Sequence, residues 1–138
     1  MNINLSTREL LAYAAGIIDG EGHIGLHVYK KRNQYTPTVT VAMTELKALN
    51  IIHLLFGGSL SFHEGRKAKY KGVGLWQLSS REDIIYCLTK LSPFLQVKKD
   101  LSDLMLNYFA DIKHREVNPA AREQYLQQFK VINGGKVA

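Results

Sequence analysis

The sequence predicts an α+β fold: a helix and two strands, a second helix and two strands, then further helices. Three observations carry this reading. The hydrophobic period switches from helical to alternating and back, twice, between Thr7 and Leu91. Ser6, Ser80 and Asn118 stand where helix caps are wanted, while Gly57-Gly58, Ser92-Pro93 and Gly134-Gly135 stand where helices stop. The alternating stretches also come in pairs with turn-forming residues between them, the layout of antiparallel hairpins with one apolar and one polar face.

In chain order, Ser6 and Glu9 make a Ser-x-x-Glu capping box, which satisfies two orphan helix amides reciprocally. Leu10, Leu11, Ala14, Ala15 and Ile18 follow at helical spacing, so the first helix is expected from Thr7 to about Ile18. His23 to Lys31 alternates, with Ile24, Leu26 and Val28 on one face and His23, Gly25, His27, Tyr29 and Lys31 on the other. Arg32-Asn33-Gln34 supplies the turn into a second strand, Thr36 to Thr44, whose Pro37, Val39, Val41 and Met43 oppose Thr36, Thr38, Thr40 and Ala42. Glu45 to Phe56 returns to helix, its stripe being Leu46, Leu49, Ile52, His53 and Phe56. Ser59 to His63 and Val73 to Ser79 are the next strands, with Leu60, Phe62, Trp76 and Leu78 inward, joined by a basic loop from Glu64 to Gly72. Ser80 caps a helix through Leu91, and Glu82 and Asp83 in its first turn suit the positive dipole end. After Ser92-Pro93 a helix is expected from Phe94 or Val97 to Ile112, with Val97, Leu101, Leu104, Met105, Tyr108 and Ile112 on one stripe. Asn118-Pro119 opens the last helix, whose face is Tyr125, Leu126, Phe129 and Ile132.

The 138 residues suit one domain, and 46% apolar with 22% charged residues exclude a disordered chain. No apolar run reaches membrane-spanning length and the N-terminus lacks a signal-peptide layout, so an intracellular protein without a membrane partner is expected. The single Cys87 lies among Ile84, Ile85 and Leu88, the setting of a buried, inert thiol. The formal net charge of +6 is concentrated at Lys30, Lys31 and Arg32 and again at Arg66, Lys67, Lys69 and Lys71, which points to a polyanionic partner.

The first helix runs into Asp19-Gly20-Glu21-Gly22, two acids at the end where the macrodipole is already negative. A bound divalent cation reverses that penalty, since hard cations take carboxylate and carbonyl oxygens. The flanking glycines are expected to permit φ > 0 and to leave carbonyls accessible. Ala12, Ala15 and Gly16 are small enough for two helix backbones to approach closely.

Ala14-Ala15-Gly16-Ile17-Ile18-Asp19-Gly20-Glu21-Gly22 resembles the nine-residue signature of the LAGLIDADG homing endonucleases. Leu91-Ser92-Pro93-Phe94-Leu95-Gln96-Val97-Lys98 is similar to a segment of single-motif members in which a lysine after Pro-Phe-Leu enters the active site. The resemblance implies an αββαββα core over about 6–112 and a C-terminal helical extension over about 113–133, the core carrying a curved four-stranded antiparallel sheet that lies in the DNA major groove.

The activity that the resemblance implies is that of a homodimeric, intron-encoded endonuclease. Such an enzyme cuts both strands of a long, pseudo-palindromic duplex by Mg²⁺-dependent hydrolysis, with Mn²⁺ as a substitute and short 3′ overhangs as product. The same resemblance makes Glu21 and Lys98 the catalytic residues, and the Glu21 carboxylate and Gly20 carbonyl the metal ligands. It assigns Ala12, Ala15, Gly16 and Asp19 to the dimer interface. DNA contacts, by the same carry-over, fall to Gly25, His27, Tyr29, Lys31, Arg32, Gln34, Thr36, Thr38, Thr40, Ser61, His63, Arg66, Lys67, Lys69 and Gln77. The chain departs from the pattern in having Glu21 for an aspartate, Glu45 where a relative has a neutral polar group, and Leu49 where that relative has an arginine for which Lys47 could substitute. An intron maturase acting on its own intron RNA, or a cleavage-inactive DNA-binding protein, are the alternatives on the same scaffold.

Overall fold

The computed structural model describes residues 4–32, 34–65, 72–113 and 119–134. Helix α1 spans Thr7–Glu21 behind its capping box, in which the Ser6 N–H donates to Glu9 Oε1 and the Glu9 N–H to Ser6 Oγ, each at 3.1 Å. It runs three residues past the end expected at Ile18, because Gly20 and Glu21 keep helical geometry. Neither Gly20 nor Gly22 adopts a positive φ, contrary to expectation; among the described glycines only Gly57, Gly58 and Gly134 do. Gly22 is needed for space instead. A Cβ there would lie 2.7 Å from the Ile18 carbonyl oxygen, so only glycine lets the chain turn from helix into strand so tightly.

Strands β1 (Gly22–Tyr29) and β2 (Gln34–Met43) form an antiparallel hairpin around a 3₁₀ turn at Lys30–Arg32. Lys31 therefore lies in the turn, while Gln34 is a strand residue opposite Tyr29. Helix α2 is Leu46–Phe56, with Glu45 as its N-cap accepting from the Lys47 N–H at 3.1 Å. Strands β3 (Ser59–His63) and β4 (Val73–Leu78) complete a four-stranded antiparallel sheet of order β1-β2-β4-β3. Helices α3 (Arg81–Leu91), α4 (Lys99–Asp111) and α5 (Pro119–Ile132) follow, and Ser80 caps α3 as its sequence requires.

The register puts Ile24, Val39 and Leu78 in one row across the sheet and Val41, Trp76 and Leu60 in another, all on the face that the helices cover. Ala14, Ala15 and Ile18 of α1, Leu49 and Ile52 of α2, Ile84 and Leu88 of α3, Met105 of α4 and Phe129 of α5 close over them. Each large apolar side chain so buried contributes roughly 1.5–3 kcal/mol relative to exposure. Trp76 satisfies its indole N–H on the Gly57 carbonyl at 2.7 Å. Cys87 is buried, and desolvation pushes its thiol pKa up, so it is inert as expected. Helix α5 flanks the edge strand β1, where Asn133 Nδ2 donates to the Ile24 carbonyl at 3.2 Å. That contact occupies part of an otherwise unpaired strand edge.

Several stripes differ from the sequence expectation. Leu46 is exposed and Ala48 takes the inward position of the first turn of α2. Phe62 is half exposed, because β3 is an edge strand and its ring lies across Gly72. Val97 is 76% exposed, since α4 begins only at Lys99 and residues 95–98 form a separate loop. Ile132 also faces out, and Asn118 and Gly135 lie outside the described residues.

The C-terminal end of α4, whose last carbonyls lack helical partners, receives the guanidinium of Arg81. Its Nη1 donates to the Ile112 carbonyl at 2.8 Å and its Nη2 to that of Phe109, with the group lying over the Phe109 ring. A cation at the negative end of a helix adds to the hydrogen-bond energy. Arg81→Met is expected to lower stability by about 1–3 kcal/mol in urea unfolding; an unchanged midpoint would show that the guanidinium is dispensable.

Candidate active site and nucleic-acid interface

The site is organised where α1 ends against the start of α4. The Asp19 carboxylate accepts from the backbone N–H groups of Gln96 (2.9 Å), Val97 (3.1 Å) and Lys98 (2.9 Å). In return Lys98 Nζ donates to the Asp19 carbonyl at 2.9 Å. An anion thus sits at the positive end of α4 and an ammonium at the negative end of α1, so both helix dipoles are complemented at one junction. The Asp19 carboxylate, expected at a subunit interface, makes these bonds within its own chain.

Glu21 has the opposite environment. It is exposed, and no hydrogen bond or ion pair involves its carboxylate among the described residues. The Ile18 carbonyl is taken by the Gly22 N–H, but Gly20 lies in the final turn, where carbonyls have no intrahelical donor. Among the described residues no group of three or more His, Cys, Asp or Glu side chains is gathered for a metal. One carboxylate and a neighbouring carbonyl fit Mg²⁺, which takes hard oxygen ligands, keeps several waters and leans on substrate oxygens.

The other face of the sheet is open. Its rows run His23–Thr40–Gln77–Ser59, Gly25–Thr38, His27–Thr36, Tyr29–Gln34 and Ala42–Leu75–Ser61, with His63 opposite Val73. Gly25, His27, Tyr29, Gln34, Thr36, Thr38, Thr40, Ser61, His63 and Gln77 therefore share one surface. Gly25 and Thr38 are its buried floor, and the Thr38 hydroxyl has no hydrogen-bond partner among the described residues. Lys31 and Arg32 project from the hairpin turn, Arg32 lying 5.8 Å over the Tyr29 ring. Arg66, Lys67 and Lys69 lie outside the described residues.

One residue of this surface escaped the sequence reading of the site. His23 is the first outward position of β1, two residues from Glu21, and its ring folds back over Gly25. A Cβ on Gly25 would stand 2.6 Å from His23 Nε2, so the glycine makes this conformation available. The His23 and His27 rings come within 6.0 Å. Burial first, then the nearby His27 and Lys98 charges, hold the His23 pKa below the ordinary histidine value. The alternation that marked His27 marks His23 equally; its place next to the acidic motif was the available signal.

Of the small residues on α1, Ala12 and Gly16 are exposed, but Ala15 is fully buried and belongs to the chain's own core. The outward stripe is Ala12, Gly16 and Gly20, and nothing lies within 4 Å of a Cβ built on either glycine. Leu49 is fully buried against Gly74, and Glu45 caps α2. Lys98 is the base the structure brings to the acidic motif.

No protein-family model matches the sequence, and no curated protein matches it significantly. Solved structures do. The homing endonuclease I-CvuI, in complex with its target in the presence of Ca, superposes with a TM-score of 0.62 at 17% identity over 94% of this chain and 98% of that one. The archaeal intron-encoded homing endonuclease I-Vdi141I, complexed with DNA, gives 0.72 at 15% identity over 92% and 86%. The LAGLIDADG homing endonuclease I-LtrWI, bound to target DNA, gives 0.65 at 16% identity over 96% of this chain but 46% of its own length. The chain has the fold of the LAGLIDADG homing endonucleases, with the four-stranded antiparallel sheet and element order expected of it.

Asp19→Asn keeps the size of the side chain but removes its charge and one acceptor oxygen. It is expected to cost about 1–3 kcal/mol and to accelerate hydrogen exchange at the Gln96, Val97 and Lys98 amides. Unchanged exchange at these three amides would remove Asp19 from the junction.

Proposed function

We propose that this chain is a site-specific DNA endonuclease. It acts as a homodimer on a long, pseudo-palindromic duplex, cuts both strands by Mg²⁺-dependent hydrolysis and leaves short 3′ overhangs. The whole chain, residues 1–138, works as one endonuclease domain, encoded within an intron and acting in the compartment that holds its target DNA. The observation that carries this reading is the Lys98 Nζ–Asp19 carbonyl contact, which brings a lysine to the end of α1 that presents the free Glu21 carboxylate. The similar structures of I-CvuI were obtained with DNA in the presence of Ca or Mg, which supports a divalent cation.

The Glu21 carboxylate and Gly20 carbonyl would hold Mg²⁺, or Mn²⁺ in its place. Bound there, the ion supplies a Lewis acid for a phosphoryl oxygen and lowers the pKa of a bound water. The chain's own contribution is positional. Hydrogen bonding to the Asp19 carbonyl fixes Lys98 Nζ and leaves two of its three N–H donors for a phosphate oxygen whose negative charge grows during the displacement. His27, Thr36, Thr40 and Gln77 offer donors and acceptors to base edges, since the major groove admits a two-stranded ribbon and each base pair is distinguishable there. Lys31 and Arg32, with Arg66, Lys67 and Lys69, suit phosphates. One acidic site per chain and two strands to cut call for two copies. Packing α1 on α1 along Ala12, Gly16 and Gly20 would bring two Glu21 side chains close to a two-fold axis.

The test is a supercoiled plasmid carrying the sequence made by joining the two flanks of the open reading frame. With Mg²⁺ the protein is expected to linearise it; binding without cutting would instead favour a splicing cofactor or a DNA-binding regulator. Glu21→Gln should abolish cutting while leaving duplex affinity near that of the unaltered protein, and Lys98→Ala should slow turnover by about 10²-fold. Loss of affinity along with cutting would make Glu21 structural. Gly16→Leu is expected to separate the subunits in sedimentation, and an unchanged dimer would refute packing through α1.

A further inference from the structure

Beyond the sheet, a cleft of about 260 Å³ opens between β1 and α5. One wall carries His23 and His27, the other Lys130 and Asn133, and the floor includes Gly25 and Phe129. Among the described residues, every polar side chain lining it can donate a hydrogen bond, and none is a carboxylate. Asn133 is held in place by the bond from its Nδ2 to the β1 edge, which leaves a second amide hydrogen for another acceptor. Lys130 is partly exposed, and no hydrogen bond or ion pair engages its ammonium among the described residues. An ammonium, two imidazoles and an amide around one cleft make a site for an anion.

We infer that this cleft seats a phosphodiester of the DNA backbone, so that α5 extends the nucleic-acid track past the edge of the sheet. The inference rests on the open face being that track. The major groove is walled by phosphates, so an element standing beyond the edge of a sheet that reads the groove floor faces a wall. Next to the edge strand β1 that element is α5, and Lys130 is the cation it places in the cleft. The contact is a sequence-independent one, which adds affinity and orientation but does not read bases.

The experiment measures binding of a fluorescein-labelled, mixed-sequence duplex by anisotropy across a salt series, in EDTA so that nothing is cut. Lys130→Gln is expected to weaken binding about fivefold and to make the slope of log K against log salt shallower by ~0.9, the loss of one phosphate contact. Lys130→Arg should keep the slope of the unaltered protein, and Lys90→Gln on α3, in the helix layer, should leave both quantities alone. Arg32→Gln on the hairpin turn reports on the track itself. If Arg32→Gln lowers the slope and Lys130→Gln does not, the cleft is no phosphate seat while the DNA reading stands. If neither changes it, or the unaltered chain does not bind duplex, both fall.

Discussion

The junction made by Asp19 is the interaction on which the rest of the site depends. Residues two apart on a helix are separated by about 200° around its axis, so Asp19 and Glu21 face nearly opposite ways. Asp19 turns toward the start of α4 and fixes the loop that carries Lys98; Glu21 turns outward with its oxygens free. Hydrogen bonds to a charged acceptor contribute roughly 1.5–3 kcal/mol each, and Asp19 accepts three. The adverse interaction of a carboxylate with the negative end of its own helix is roughly 0.3–1 kcal/mol. The bonds win, and an acid that looks misplaced on α1 is well placed for α4.

The sheet divides the molecule into two chemistries. Its covered face is a continuous apolar layer centred on Val41, Trp76 and Leu78; its open face is built of imidazole, hydroxyl and amide groups, with Leu75, Ala42 and Val73 as apolar exceptions. Gly25 matters out of proportion to its size. By presenting no side chain it lets His23 lie across the strand toward His27, and it leaves the floor of the α5 cleft open. The unpartnered Thr38 hydroxyl directly opposite Gly25 marks the same spot as one where a polar partner is wanted.

At 15–17% identity, what this chain shares with the structures it superposes on is an order of elements and a shape. A sheet needs only alternation and a helix only a stripe, so very different side chains can fill the same layers. The recognisable residues are few and clustered: the acidic end of α1 and the Pro-Phe-Leu segment before Lys98. Those are the two stretches that the Asp19 junction joins.

Helix caps, glycine stops and the two-residue period act over three or four residues, and these local signals determined the element order, both hairpins, the Ser80 and Ser6 caps and the open face with its Thr, His and Gln residues. That Lys98 comes to the end of α1 was legible only through resemblance, for nothing in the spacing requires it. Tertiary structure alone decided that α1 continues to Glu21, that Asp19 bonds to residues 96–98, that Val97 and Phe62 lie outside the core, and that α5 shelters β1. It also decided between Ala15 and Gly16. Adjacent residues on a helix differ by about 100°, so a small-residue run marks a broad arc, and only the packing of the sheet and neighbouring helices fixes which part of that arc is buried and which is left exposed.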